Sequence, residues 1–532
     1  MVSRATSSCV KWLAVFVVGP LAGCAESATT PTAPSEVAQK AERETLGRHL
    51  LASGADMLDG LDSFVEGGSD FRETTTEDAV KQTVRRLNEG LALLDASRTD
   101  DDQLTVDDGK VLREIVWLRD AARFAVGDAT DPLPRAEKLF DWTVRNIQLI
   151  PDDAPAAERL PFLPWHTLVF GKGTALDRAW LFQLLARQQG LDVVLLAYAD
   201  TKNVAAPHWW CPALVLDAAS GTDKAPRLHL FEPRWGVPIP GPRGRGVATL
   251  EQVAGDDKLL RALDIDAEHP YPVKSADLKQ LVALVETSSI YRSPRFAKLE
   301  QALSGQDKLV LSLDRDGLAA KLKRAPQLTG VVDWPLRDVR YTASREKEPY
   351  DKLSELLRPF NRRPTDLETG RTIGLPPLWR ARVRHVSGKY YENMTETDPE
   401  LRRLGINRWY QVARPAEDDL GPLRLDTVNW EYIHRMKGHA TYWLGLVAYD
   451  LGNYDTATTF LKLTLADPTN VGWVPGARYN LGRTYEAQAA AAKDEAERKR
   501  LRDEAAAVYR KTFQQLSPDA QCLWRAKSLT AR

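Results

Sequence analysis

The longest apolar run in the first part of the chain, Trp12 to Leu21, has about ten residues, against the roughly 20 that a helix needs to cross a bilayer. Arg4 and Lys11 flank its start and favour the cytoplasmic side while the run enters the membrane. It therefore reads as the core of a signal peptide. No later segment has 18 consecutive apolar residues, so the remainder must bury its core in water. Composition agrees: 532 residues, 43% hydrophobic and 27% charged, are ordinary globular figures, which exclude a wholly disordered, collagen-like or polytopic membrane chain. Lys and Arg total 72 against 73 Asp and Glu, so no basic excess points to nucleic acid. Four cysteines are too few for a disulfide scaffold or a zinc array.

The apolar run ends in Leu21-Ala22-Gly23-Cys24, which resembles a bacterial lipobox. The resemblance implies cleavage before Cys24, lipidation of its thiol, and a bacterial cell-envelope location. Cleavage removes Arg4 and Lys11 and no acid, taking the net charge from −1 to −3. Ala25 follows the cysteine where an inner-membrane retention signal would have Asp, so the outer membrane, facing the periplasm, is the expected site. Residues 24–37, with Ala, Ser, Thr and Pro, read as a flexible tether. The expected membrane contact is through this lipid alone.

Hydrophobic periodicity organises the rest. Residues 38–130 read as helical: Leu87, Leu91, Leu93 and Leu94 form one stripe, and Val111, Ile115, Val116 and Leu118 another. Asp131 and Pro132 open a helix carrying Ala136, Leu139, Phe140, Val144 and Ile147, which Pro151 stops. Residues 151–168 read as a Pro-rich loop holding Trp165 and His166. A second helix is expected from about Ala175 to Gln189, and Gly190 ends it. Extended runs follow at Val193–Tyr198, Ala213–Leu216 and Leu228–Phe231, with turn residues Ser220-Gly221-Thr222-Asp223 between the last two. Helix followed by antiparallel sheet is an α+β layout. Residues 251–375 form an α/β region of unclear type, with a strand expected at Leu309–Leu313 and a helix at Gly317–Arg324.

Within this layout, Gly171-Lys172-Gly173-Thr174-Ala175-Leu176-Asp177-Arg178-Ala179, then His208-Trp209-Trp210, then Phe231-Glu232-Pro233 resemble the transglutaminase-like (papain-like) core over residues 131–250. The resemblance implies a helix N-terminus carrying a nucleophile, a His on the next strand and a carboxylate at the end of the last. In general such a helix start lowers a thiol's pKa, the His takes the proton, and the acid orients the His. Here the nucleophile position is Ala175, and Glu232 stands for the usual Asp. The positions Ala175, His208 and Glu232 are thus a degenerate triad, and a pseudoenzyme is expected. The rival is a hydrolase or transferase with an unconventional nucleophile: Thr174, Asp177 or another group. Thr174, Asp177, Trp165 and Trp210 are candidate cleft residues. The tryptophans of this region (142, 165, 180, 209, 210 and 235) line a groove or simply fill the core. His208, Cys211 and His229 match no standard metal spacing, so no metal or cofactor is expected.

Leu444-Gly445 recurs as Leu481-Gly482, a period within the range of helix-pair repeats. Trp443-Leu444-Gly445, Ala448, Leu451-Gly452-Asn453-Tyr454, Ala457, Leu461 and Pro468 resemble a tetratricopeptide repeat (TPR). A second unit begins at Ala477, and a degenerate earlier one includes Leu378, Ala381, Gly388, Tyr390 and Tyr391. The resemblance implies all-α helix pairs over 376–532 and a surface for a protein or peptide partner.

Overall fold

The computed structural model describes residues 73–94, 102–200, 209–217, 225–361, 377–390, 399–416, 420, 425–511 and 519–530. The signal peptide, Cys24, the tether, His208, the Ser220–Asp223 turn and Tyr391 lie outside the described residues. The fold is α+β, with a mixed sheet and a helical C-terminal region.

Helices α1 (Glu73–Leu94) and α2 (Val106–Val126) form where the two leucine- and valine-rich stripes are expected. Leu87, Leu91, Leu112, Ile115 and Val116 share one apolar cluster. Thr105 caps α2 in a capping box with Asp108, which satisfies two otherwise orphaned N–H groups. Helix α3 (Pro132–Asn146) starts with Pro132 in its first turn, where the missing N–H costs nothing. A two-residue strand, β1 (Gln148–Leu149), follows and pairs in parallel with β2 (Lys172–Gly173). The expected loop over 151–168 contains a helix instead, α4 (Pro164–Phe170), which carries Trp165 and His166. Its first turn is held by the backbone N–H of Leu163 donating to Nδ1 of His166 at 3.0 Å; a histidine that caps through its ring leaves no conventional capping signal in the sequence.

Helix α5 (Ala175–Gln188) leads into β3 (Val193–Tyr198), β4 (Cys211–Leu216), β5 (Arg227–Glu232) and β6 (Val237–Pro238). After the short helices α6 (Leu250–Gly255) and α7 (Lys258–Arg261) come β7 (Leu281–Glu286), α8 (Pro294–Ala302), α9 (Arg315–Leu322) and β8 (Leu328–Trp334). The sheet order is β6-β5-β4-β3-β7-β8. Its pairs are antiparallel except β7–β8, which is parallel. Strict alternation separates two layers. Val194, Leu196, Cys211, Ala213, Leu228, Leu230 and Ala283 face one layer, closed by Leu250, Tyr271 and Leu318. Leu195, Ala197 and Leu284 lie under Ala179 of α5 on the other face.

The expected strand at Leu309–Leu313 is not formed. Leu309 and Leu311 are buried beside α1 and α8, but their backbone is satisfied by side chains. Gln188 bonds both N and O of Val310, and the Glu300 carboxylate accepts from the N–H of Leu311 and Ser312. The missed strands β7 and β8 take the sheet positions, while α9 forms where a helix was expected.

Helices α10 (Leu336–Ser344), α11 (Lys347–Asn361), α12 (Pro377–Val386) and α13 (Pro399–Val412) lead to two antiparallel helix pairs, α14 (Thr427–Asp450) with α15 (Tyr454–Ala466) and α16 (Val474–Ala491) with α17 (Glu495–Arg510), and a final helix, α18 (Ala520–Thr530). The recurring glycines have one role. A Cβ on Gly445 would lie 2.8 Å from Leu461, and one on Gly482 would lie 2.3 Å from the Tyr509 ring. Each glycine lets the second helix of its own pair approach closely. These pairs do not stand apart: one apolar cluster runs from Trp117 through Phe140, Trp180 and Phe231 to Trp443, Leu481, Tyr509 and Cys522.

Candidate functional site

Helix α5 begins where Thr174 caps it. The Thr174 hydroxyl accepts from the Asp177 N–H at 3.3 Å and donates to the Asp177 carboxylate at 2.8 Å, which also accepts from the Thr174 N–H at 2.9 Å. Burial pushes the Asp177 carboxyl upward, against the Arg340 guanidinium and the Thr174 bonds. Arg340 reaches it from α10 at 3.3 Å. Ala175, the first helical residue, is 1% exposed. The helix start is therefore a closed cap: its first turn holds a methyl group, and its one hydroxyl is engaged by the cap.

Glu232 sits at the end of β5, and alternation assigns its side chain to the layer opposite α5, since Phe231 packs toward α5. Its carboxylate accepts from the Trp209 indole at 3.1 Å, from the Arg234 N–H at 2.9 Å and from the Tyr271 hydroxyl. Burial raises its pKa, opposed by Arg234 and these hydrogen bonds. The structure thus does not bring Glu232 and Ala175 to the same face of the sheet. Strand parity shows this once the register is known; the Phe-Glu-Pro spacing alone conceals it.

Cys211 belongs to the Glu232 layer and is fully buried. Burial, then the nearby Glu232 charge, push its thiol well above the ordinary range, so it is held as a thiol rather than a thiolate. Its Sγ lies 3.3 Å from the Phe231 carbonyl. Cys522, the other cysteine among the described residues, is also buried.

The cleft candidates part company. Trp165 lies against His166, ring centroids 3.7 Å apart and planes tilted by 32°, and packs on the main core. Trp210 stacks on Trp334 at 5.5 Å and 11° and covers the small cluster of Leu195, Ala197 and Leu284. Trp142, Trp180, Trp209 and Trp235 are buried. His229 is buried, and its Nδ1 lies 3.1 Å from the Val247 carbonyl. No group of three or more His, Cys, Asp and Glu side chains suited to a metal occurs among the described residues.

Asp177 and Arg178 are both buried. The Arg178 guanidinium donates to the carbonyls of Ile147 and Pro233 and to Oε1 of Gln521, at 2.6 to 3.0 Å. It ties the end of α3, the end of β5 and α18 together, and burial lowers its pKa to about 10. Lys172 places its ammonium 4.5 Å over the Trp473 ring and is lowered by burial to about 8.

The inner face of the C-terminal helix pairs is occupied by the chain itself. Gln148 bonds Gly472 and Gly476, Asn480 donates to the Arg145 carbonyl, and Arg145 and Asp141 form ion pairs with Asp450 and Arg483 at 2.6 Å. A surface groove of 610 Å³ lies beside α15, lined by Tyr454, Lys462, Tyr485, Gln488, Glu497 and Arg500 among others. No helix among the described residues is long and apolar enough to cross a membrane. No family model, curated protein or solved structure matches this chain.

Proposed function

We propose that the chain is a non-catalytic, envelope-anchored binding or scaffolding lipoprotein. Its core is a degenerate transglutaminase-like domain, and its C-terminal TPR-like pairs carry the partner surface. The observation that carries the reading is the sealed start of α5, with Ala175 1% exposed where the resemblance asks for a nucleophile. Three facts support it: the capping role of Thr174 and Asp177, the burial of both described cysteines, and the placement of Glu232 in the opposite layer. The groove beside α15 is the open partner face, because α3 and β1 already fill the inner face of the pairs.

Two experiments test the two halves of this reading. Palmitate-analogue labelling of cells should occur with the natural chain and vanish in Cys24→Ser; labelling that survives the substitution removes the anchor. Partner capture by cross-linking should be lost in Tyr454→Lys with Lys462→Glu, two changes in the groove lining. Capture that is unchanged places the partner surface elsewhere.

A further inference from the structure

Lys172 is a cation without a counter-ion. Its side chain is half-buried on β2, with Nζ 4.5 Å over the Trp473 ring. No carboxylate among the described residues lies within ion-pair distance of it; the acid that acts on it, Glu158, is exposed and farther off. The ring holds the ammonium from one side, and an ammonium carries three donors. Tyr442 stacks on Trp473 at 4.3 Å and 17°, so Lys172 takes the opposite face of the indole. A Cβ on Gly472 would lie 3.2 Å from Nζ, so this glycine lets the turn before α16 close against the lysine.

His439 of α14 borders the same indole. The Trp473 indole donates to its Nδ1 at 2.8 Å, and an indole nitrogen can only donate. The neutral imidazole therefore carries its proton on Nε2. Burial, then the charges of Lys172, Arg435 and Arg382, hold this ring neutral, at about 3. Arg435 is neutralised by Glu431 and Glu355, whereas Arg382 donates to the carbonyls of Leu168 and Val169 and meets no acid. The recess thus keeps a positive potential. Neither Nζ of Lys172 nor Nε2 of His439 is closed off from solvent. Two accessible donors at one aromatic ring, with no acid of their own, match a ligand that brings a negative charge and two acceptor oxygens. We propose that Lys172 and His439 form a carboxylate-binding site at Trp473: the ammonium pairs with one oxygen of a ligand's carboxylate, and the Nε2–H of His439 donates to the other.

Magnetic resonance of the full chain labelled in its histidine nitrogens tests this, with acetate as the probe and acetamide as its neutral shape match. Acetate should shift the His439 Nε2–H signal saturably, with a dissociation constant below about 100 mM, and acetamide should bind at least about tenfold more weakly. Lys172→Met should weaken acetate binding at least about tenfold with no fall in the thermal melt, and Lys172→Arg, which keeps the charge, should hold it within a few-fold. His439→Phe should weaken it as well, read by saturation transfer to the acetate methyl group. A response still linear at about 100 mM, equal for acetamide, or unchanged in Lys172→Met overturns the proposal. Inorganic phosphate that binds more tightly than acetate overturns the carboxylate assignment.

Discussion

At the residue scale, small side chains at close approaches set the stability of the C-terminal pairs. Gly482→Ala drives a methyl group against the Tyr509 ring, and such overpacking typically costs about 1–3 kcal/mol. Denaturant unfolding should show that loss, and a midpoint like the natural chain's would mean Tyr509 has room to move. Acid sensitivity also begins with single residues. His166 and His439 are held to about 3 by burial, and His385 to about 4, despite Asp450 beside it. Their folded pKa values lie below the unfolded value of about 6.5. As pH falls through 6.5, the unfolded chain takes up protons that the folded chain refuses, so stability is lost. Unfolding free energy should be lower at pH 5.5 than at pH 7; an equal or higher value would show that these rings are hydrated and free to charge.

At the element scale, much of the fold is legible in the sequence. Helices α1, α2, α3 and α5 and strands β3, β4 and β5 follow from periodicity and cap residues, because each buries a clear stripe or alternates between two layers. The legible part stops where side chains replace regular structure. Leu309–Leu313 has a strand's composition, yet Gln188 and Glu300 satisfy its backbone. Helix α4 is capped by a histidine ring rather than by Ser, Thr, Asp or Asn. The candidate site was legible in its residues but not in its directions: Glu232 lies at the expected strand end, and strand parity turns it into the other layer. Arg178 makes an element-scale prediction. Arg178→Met leaves the buried carbonyls of Ile147 and Pro233 without donors, and each unsatisfied group costs about 1–3 kcal/mol. A destabilisation of roughly 2–5 kcal/mol should follow. A change below about 0.5 kcal/mol would mean that water replaces the guanidinium.

At the scale of the whole molecule, periodicity divides the chain into a sheet region and a C-terminal helical array, while the structure joins them through one apolar core. Nothing in the repeat pattern announces this, because the joining contacts (Arg178 with Gln521, Gln148 with Gly476, Arg145 with Asp450) connect positions hundreds of residues apart. Removing residues 376–532 would cut this cluster and take the partners of Arg178, Gln148 and Arg145 away, so the shortened chain should lose its cooperative melt rather than merely lose a partner. A truncated chain with a sharp melt would show two independent units.

The central claim is that the start of α5 is sealed and does no chemistry. Its most direct test is an assay of the full chain for amide hydrolysis and amine transfer on a glutamine-containing peptide, alongside Ala175→Cys and Thr174→Val. The account predicts no turnover by the natural chain and none by Ala175→Cys, since Glu232 is bonded to Trp209 and Tyr271 in the other layer. Turnover by the natural chain that disappears in Thr174→Val would contradict it.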